Sequence, residues 1–373
     1  MIQHPAATLP FHVLHSSLIS RRKAGVVIER AVGPLRLYCY TRQCVYDRMW
    51  DEVTLLARGI VLDVERERVV AYAFPKFFNA GERDEPLPDL PFEVFDKLDG
   101  SLVIAFHDGV GWRCVTKGSF DSDQARAAQA LLAPVSEWLI PGDTHLFEYV
   151  APSNRIVVSY EREELVLLAM YGKDGHEFSY PIVEETANAI GVRCAARHDF
   201  ASIRDLVEHS AILPATAEGF VIRYTDGTRL KVKGAEYRRI HALVSRCTPL
   251  AVWEAMAAGD DLDVWRRELP EELWADFDRI VALLRARVED LVMLVRSVDD
   301  RTRGMTDKEL GLTLSTLPEP GRSFIFPYRK SGGDLLSQPR LCAAIFRHVR
   351  PTGNAIEGYE PSRSILRFEE ESL

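Results

Sequence analysis

Phe95-Asp96-Lys97-Leu98-Asp99-Gly100-Ser101 reads as Lys-x-Asp-Gly, set between an apolar approach (Phe92, Val94) and an apolar exit (Leu102, Val103, Ile104). The pattern puts Lys97 at the end of one strand, with the turn-forming Asp99-Gly100 pair leading into the next. A lysine in that place can serve as a covalent nucleophile, because neighbouring cations lower an amine's pKa and leave it unprotonated. It can equally be a solvated lysine on a hairpin. What decides between the two readings stands on either side.

Upstream, Leu35–Tyr40 alternates and is rich in β-formers, and residues 57–64 and 69–74 read as two further strands. Residues 75–79 read as a loop that carries Lys76 between a proline and two aromatics. Residues 1–30 give a mixed pattern without a clear element. Downstream, strands are expected at 102–107, 112–116, 145–150, 156–159 and 165–171. Helices are expected at 121–138, where Ser122 or Asp123 is the cap, and at 182–190 and 202–209. Gly219–Tyr224 and Arg229–Lys233 form a hairpin around the turn Thr225-Asp226-Gly227-Thr228.

Past residue 240 the β character stops. Leu273, Phe277, Ile280, Leu284, Val288, Leu291 and Val295 recur every three or four residues, the core face of one long helix. Residues 318–321 read as a loop and 339–349 as a final helix. The expected organisation is an α+β domain over 1–244 and an all-helical domain over 245–373. No internal repeat or low-complexity segment interrupts it.

Composition narrows the class. The 373 residues are 47% hydrophobic and 27% charged, as in an ordinary globular chain. No apolar run approaches a membrane span, and His4, Pro5 and Pro10 interrupt the start where a signal peptide would be continuous, so a cytoplasmic protein is expected. Six scattered cysteines, without Cys-x-x-Cys, argue against a zinc site and for reduced thiols. The net charge of −9 is unevenly spread. Residues 229–246 and 301–350 are rich in basic side chains, and Glu369 to Glu371 make an acidic tail. A polyanion partner would need a local basic groove.

Several residues in the first domain could build such a groove. Arg58 opens a strand, and Lys76 sits in the loop before the Lys97 strand; both are cations of the kind that hold phosphates. Glu148 alternates against Phe147 and Tyr149. Glu218, at a strand start, could meet a metal or a ribose. Lys231 and Lys233, two apart on a strand, leave the same face, where two ammonium groups repel unless an anion or water lies between them. Taken singly, each is more simply a solvated side chain. Their co-occurrence in this order is not.

In that order the chain resembles the covalent nucleotidyltransferases, the superfamily of ATP-dependent DNA ligases, RNA ligases and mRNA capping enzymes. Lys97-Leu98-Asp99-Gly100 matches the nucleophile motif, Phe147-Glu148-Tyr149 the third, Glu218-Gly219-Phe220-Val221 the fourth, and Lys231-Val232-Lys233 the fifth. Within the superfamily, residues 36–241 look most like the tRNA-repair RNA ligase 1 family of T-even bacteriophages. The stretches that carry this are 36–40, 58–60, 76–79, Lys117-Gly118-Ser119 and 151–157, with Tyr237 after the fifth motif. Capping enzymes usually carry arginine where this chain has Ser101, and they and the DNA ligases continue into an OB-fold where this chain turns helical.

The resemblance implies an antiparallel-sheet, ATP-grasp-like adenylyltransferase domain and a set of roles. Lys97 would attack ATP to form lysyl–AMP. Lys231 and Lys233 would contact the α-phosphate and help keep Lys97 unprotonated. Tyr40, Arg58, Lys76 and Lys117 would bind the triphosphate or an RNA phosphate, Glu148 the ribose, and Glu218 a divalent metal, Mg²⁺ with Mn²⁺ as the substitute. AMP would pass to an RNA 5′-phosphate for sealing to a 3′-hydroxyl. The implied RNA is a cleaved tRNA anticodon loop, and Arg322, Arg329, Lys330, Arg340, Arg347 and Arg350 of the helical domain could contribute phosphate contacts. No phosphate-binding Gly-x-x-x-x-Gly-Lys loop is present, so a separate kinase/phosphatase would heal the ends. The alternatives are a DNA ligase, a capping-type enzyme, or a non-catalytic RNA-end-binding protein.

Overall fold

The computed structural model describes residues 2–155 and 157–362. Ile156, within one stretch that carries the resemblance, and the acidic tail at 369–371 lie outside the described residues. The chain divides into two compact units at His241/Ala242, three residues before the expected boundary and inside a helix.

Helix α1 (Phe11–Lys23) leads into the hairpin β1 (Val27–Val32) and β2 (Leu35–Tyr40). The short helices α2 (Arg42–Tyr46) and α3 (Glu52–Leu56) precede β3 (Arg58–Asp63) and β4 (Arg68–Ala71). Then come β5 (Phe78–Asn79), β6 (Phe92–Lys97), β7 (Ser101–His107) and β8 (Trp112–Thr116). Helix α4 (Asp123–Leu132), capped by Ser122, ends in a 3-10 turn, Ala133–Trp138. After β9 (Thr144–Val150) and β10 (Glu164–Tyr171) follow α5 (Tyr180–Ala189), β11 (Arg193–Cys194), β12 (Arg197–His198) and α6 (Ile203–Ala211). The hairpin β13 (Gly219–Tyr224) and β14 (Arg229–Lys233) closes the series, and α7 (Ala235–Ser245) leaves it.

These strands make three sheets, ordered β1-β2-β3-β4, β11-β10-β9-β7-β8 and β12-β6-β13-β14-β5. Pairing is antiparallel except at β10–β11 and β14–β5, so the expectation of antiparallel sheets is corrected at two edges. Strand β7 explains its own composition. Leu102, Ile104 and Phe106 pack into the core shared with the first sheet, whereas Val103 and Ala105 pack under α4 and α5. A strand covered on both faces reads as a continuous apolar run.

The third sheet is apolar on one face only. Val94, Phe220, Ile222, Tyr224 and Val232 pack with Leu206 of α6. The other face carries three rungs: Lys97–Gly219–Lys233, Phe95–Val221–Lys231 and Glu93–Arg223–Arg229. Period-two alternation sends Val94, Phe220, Ile222, Tyr224 and Val232 to α6 and leaves the cations together on the other face, with Phe95 and Val221 among them.

Two expectations are corrected here. Phe78–Asn79, read as part of a loop, pairs beside β14. Residues 157–159 form no strand, because the Val157 and Val158 amides donate to the Asp99 carboxylate instead of to a ladder (2.8 and 2.7 Å).

In the second unit the long amphipathic stripe is α10 (Trp274–Arg301). Before it stand α8 (Pro249–Ala258) and α9 (Leu262–Glu268). After it come α11 (Asp307–Thr313), α12 (Gly321–Lys330) and α13 (Pro339–His348). Three of its six highlighted basic residues are engaged locally. Arg329 donates to Asp299 (2.6 Å) and to the Thr302 carbonyl (2.7 Å), Arg322 pairs with Glu319, and Arg350 lies over the Trp253 ring. Lys330, Arg340 and Arg347 are exposed. No helix among the described residues is long and apolar enough to cross a membrane.

Gly219 sets the register of the cationic face. Its φ is +142°, and a Cβ would stand 2.1 Å from the Val232 carbonyl oxygen. Gly219→Ala should therefore cost on the order of 3 kcal/mol of stability, because the obstacle is backbone and cannot swing aside. Urea denaturation would show this as a lowered midpoint; an unchanged midpoint would mean the hairpin relaxes freely.

Candidate active site

Strand β6 delivers Lys97 to the rim of a cleft of about 780 Å³, the size range of small-molecule sites. Asp99-Gly100 then turns the chain tightly against β9, where a Cβ on residue 100 would meet the Tyr149 carbonyl oxygen at 2.4 Å. The Asp99 carboxylate is a hub. It accepts from the amides of Val157 and Val158 and from the Tyr237 hydroxyl of α7 (2.7 Å). Burial, then the nearby Glu218 charge, pushes Asp99 up to about 6 against those hydrogen bonds. The Gly100 amide donates to Glu148 Oε1 (3.1 Å), and Asn154 donates to Ser101 Oγ (3.0 Å).

At the centre is Glu218, whose side chain is 3% exposed. Lys97 Nζ donates to its Oε2 (2.7 Å) and Lys233 Nζ lies 3.0 Å from its Oε1. One carboxylate thus bridges the two ends of the first rung. Burial opposes charge on all these groups. At Lys97 the carboxylates of Glu218 and Glu148 outweigh burial and raise the pKa, so the ammonium is held charged. At Glu218 the two lysines outweigh burial and lower it. The expectation that Lys231 and Lys233 leave Lys97 unprotonated is corrected: Glu218 stands closer than they do and wins. Lys231 is the lysine that loses its proton readily. Burial first, then Lys97, Lys76 and Lys233, brings it down to about 7.

The upstream residues line the same cleft. Arg58 is half-buried, with its guanidinium 5.4 Å from the Phe77 ring centre. Lys76, expected as a phosphate-holding cation, is packed among the rings of Tyr40, Trp50 and Phe78. Burial, Arg58 and Lys117 bring it to about 8. Tyr40 is buried and presents a ring to that ammonium. The cleft therefore gathers Lys97, Lys231, Lys233, Arg58, Lys76, Lys117, Tyr40, Glu148 and Glu218, drawn from all three sheets. Nine Lys or Arg side chains against five Asp or Glu line it, in a chain of net charge −9. The arrangement is built for a polyanion.

Sequence reasoning missed two groups. Trp50 touches Lys76 but gave no periodic signal, only its place before a capped helix. The third rung hides a second bridged carboxylate: Glu177, fully buried, accepts from Arg223 (2.6 Å) and from Arg229. Among the described residues no group of three or more His, Cys, Asp or Glu forms a metal cage.

Residues 56–237 match the RNA ligase family. A protein of Autographa californica nuclear polyhedrosis virus, named as a bifunctional polynucleotide kinase/RNA ligase, is 26% identical over 225 residues, 52% of this chain and 32% of the relative. The RNA ligase of Rhodothermus phage RM378 is 25% identical over 201 residues, 42% of this chain and 45% of the relative. This chain thus spans less than half of the length of either relative, 32% of the first and 45% of the second. Among solved structures, an archaeal ATP-dependent RNA ligase aligns over 74% of this chain and 83% of its own, at 16% identity and a TM-score of 0.49.

The lysine environment is testable through pH. Lys231 titrates near 7 when folded against an ordinary value of 10.5, so the folded state holds fewer protons between those limits. Stability from this group rises with pH across that window, and its penalty is complete below pH 7. Lys231→Met should therefore raise the urea midpoint most at pH 6, with the gain shrinking toward pH 10. A gain that is absent, or that grows with pH, would contradict this account of the cleft.

Proposed function

From the match of residues 56–237 to the RNA ligase family, we propose that this chain is an ATP-dependent RNA ligase of the covalent nucleotidyltransferase type, with Lys97 as the residue that carries AMP. The observation that supports it is the first rung: a strand-end lysine paired through a buried glutamate to a second lysine, with Lys231 on the same sheet face. Met1–His241 would be the nucleotidyltransferase domain and the helical unit an RNA-binding domain.

The chemistry follows from the groups present. The Lys97 ammonium gives up its proton to solvent once Glu218 turns away from it, because burial and the neighbouring cations are then opposed only by the more distant Glu148 and Asp99. The free amine attacks the α-phosphorus of ATP; an N–P bond forms, the bond to the bridging oxygen breaks, and pyrophosphate leaves. Lys231 and Lys233, fixed on β14, stabilise the charge that develops on the α-phosphate. An RNA 5′-phosphate oxygen then displaces Lys97, which recovers its proton, and AMP is joined to the RNA end. A 3′-hydroxyl finally attacks the 5′-phosphorus, forming the phosphodiester and releasing AMP.

Arg58, Lys76, Tyr40 and Lys117 would hold outer phosphates, and Glu148, oriented by the Gly100 amide, the ribose. A divalent cation, Mg²⁺ or Mn²⁺, supplies neutralising charge to the phosphates when bound. Glu218 fits it only as a single carboxylate among phosphate oxygens and water, a mode that suits Mg²⁺. The RNA would be a broken strand such as a cleaved tRNA anticodon loop. A relative named for both polynucleotide kinase and RNA ligase supports a healing activity that works beside this one.

Intact mass after incubation with ATP and Mg²⁺ tests the reading. Wild type should gain about 329 Da, one AMP, and Lys97→Ala should gain nothing. A gain with GTP alone would point to capping chemistry, and no gain with either nucleotide, from protein not already adenylylated, would leave an RNA-end-binding protein.

A further inference from the structure

Three aromatic rings surround one ammonium at the cleft. Lys76 Nζ lies 5.2 Å from the ring centre of Tyr40, 5.4 Å from that of Trp50 and 5.9 Å from that of Phe78. The rings brace one another at steep angles: Trp50 meets Tyr40 at 82° and Phe78 at 77°, with centres 5.0 and 5.6 Å apart. Each ring turns a negative face toward cations, so three together make a cage for one positive charge. Tyr40, Lys76 and Asn79 line the cleft, whereas Trp50 stands behind them.

The segment that brings Trp50 there is over-determined. Arg48 holds φ +52°, unusual for a residue with a side chain, and the Trp50 amide donates back to the Arg48 carbonyl at 2.8 Å. The Met49 carbonyl between them accepts from the Thr54 hydroxyl (3.1 Å) and the Cys44 thiol (3.3 Å). Asp51 caps α3 and pairs with Arg21 (2.6 Å). Backbone held in a sparsely populated region by its surroundings is found at functional sites more than elsewhere. The cage also meets a physical need. Burial and the charges of Arg58 and Lys117 disfavour the Lys76 ammonium, and the three ring faces favour it.

We propose that Trp50 is a positioning residue: with Tyr40 and Phe78 it cages the Lys76 ammonium and aims it at the triphosphate of the incoming nucleotide, serving attack by Lys97 rather than the later sealing of RNA. This rests on the ligase reading above and divides that reaction. Lys97 adenylylation needs the triphosphate, whereas joining a pre-adenylylated RNA 5′ end to a 3′-hydroxyl does not.

The test follows both steps in the full chain. Lys97 adenylylation is read by mass with ATP and Mg²⁺, and sealing is read on chemically pre-adenylylated RNA without ATP. Trp50→Ala should slow adenylylation about ten-fold or more, the worth of a desolvated cation–π contact, chiefly through KM for ATP, and should slow sealing far less. Trp50→Phe should restore most of the loss. In a Lys76→Met background, Trp50→Ala should add nothing further. Equal loss in both steps would make Trp50 a structural residue only, and a loss confined to sealing would assign Lys76 to the RNA phosphate; either overturns the proposal. A wild type that takes no AMP would fail the ligase reading itself, a result distinct from both.

Discussion

One buried carboxylate organises the cleft. Glu218 stands where two lysines from the strands on either side of β13 converge, and its charge is the largest favourable influence on the Lys97 ammonium. Removing any ion from water costs several kcal/mol even after relaxation, and the cost is offset only when the opposite charge is close and well oriented. The three-residue rung meets that condition at 2.7 and 3.0 Å. Lys231, one rung away on the same face, does not. Its proton is loosened by burial first and then by the charges of Lys97, Lys76 and Lys233. The cleft is therefore electrostatically incomplete, with cations in excess and one shared anion, and its natural complement is a phosphate chain.

The same hairpin carries the arrangement twice, in two chemistries. At its far end Arg223 and Arg229 converge on Glu177, with Tyr171 donating to the second oxygen (3.3 Å). Arginine does not give up its proton, and its planar fork holds a carboxylate in fixed geometry. That end is a permanent lock between the hairpin and the segment after β10. The lysine end has the same charge pattern but can titrate and can swing. Strand β14 thus has a rigid anchor at Arg229 and, two and four residues on, the groups that would act on a substrate. Position comes from the arginines, and the proposed reactivity belongs to the lysines.

Much of this was legible because it is periodic. Alternation put Lys231 and Lys233 on one face, the Asp226-Gly227 turn joined their strand to β13, and the heptad-like stripe gave α10. Lys-x-Asp-Gly located the strand end and the turn. What escaped is long-range. Val157 and Val158 look like a strand, yet their amides serve a carboxylate nearly 60 residues away. Two residues of β5 pair in parallel with a strand about 150 residues later, which no local pattern can signal. The charge state of Lys97 depends on Glu218, 121 residues on, approaching more closely than the other lysines. Trp50 carries no periodicity at all, and only the folded turn beside α3 brings it to Lys76.

These misses share a cause that also explains why the site is recognisable. Over most of the first unit, propensity, pattern and packing agree, and there the sequence reads correctly. They part company at the cleft. An aspartate is buried in a hub and pushed toward neutrality, lysines crowd one sheet face, a tryptophan is held by a strained turn, and a glycine stands where any Cβ would strike a carbonyl. Each departs from what local propensity favours, and the surrounding sheets and hydrogen bonds hold it in place. The concentration of such features around one lysine is what supports the proposal that Lys97 is a nucleophile and not a solvated hairpin residue. The Lys-x-Asp-Gly motif alone carries no such weight, and the folded neighbourhood of Glu218 adds it: a buried carboxylate shared by Lys97 and Lys233.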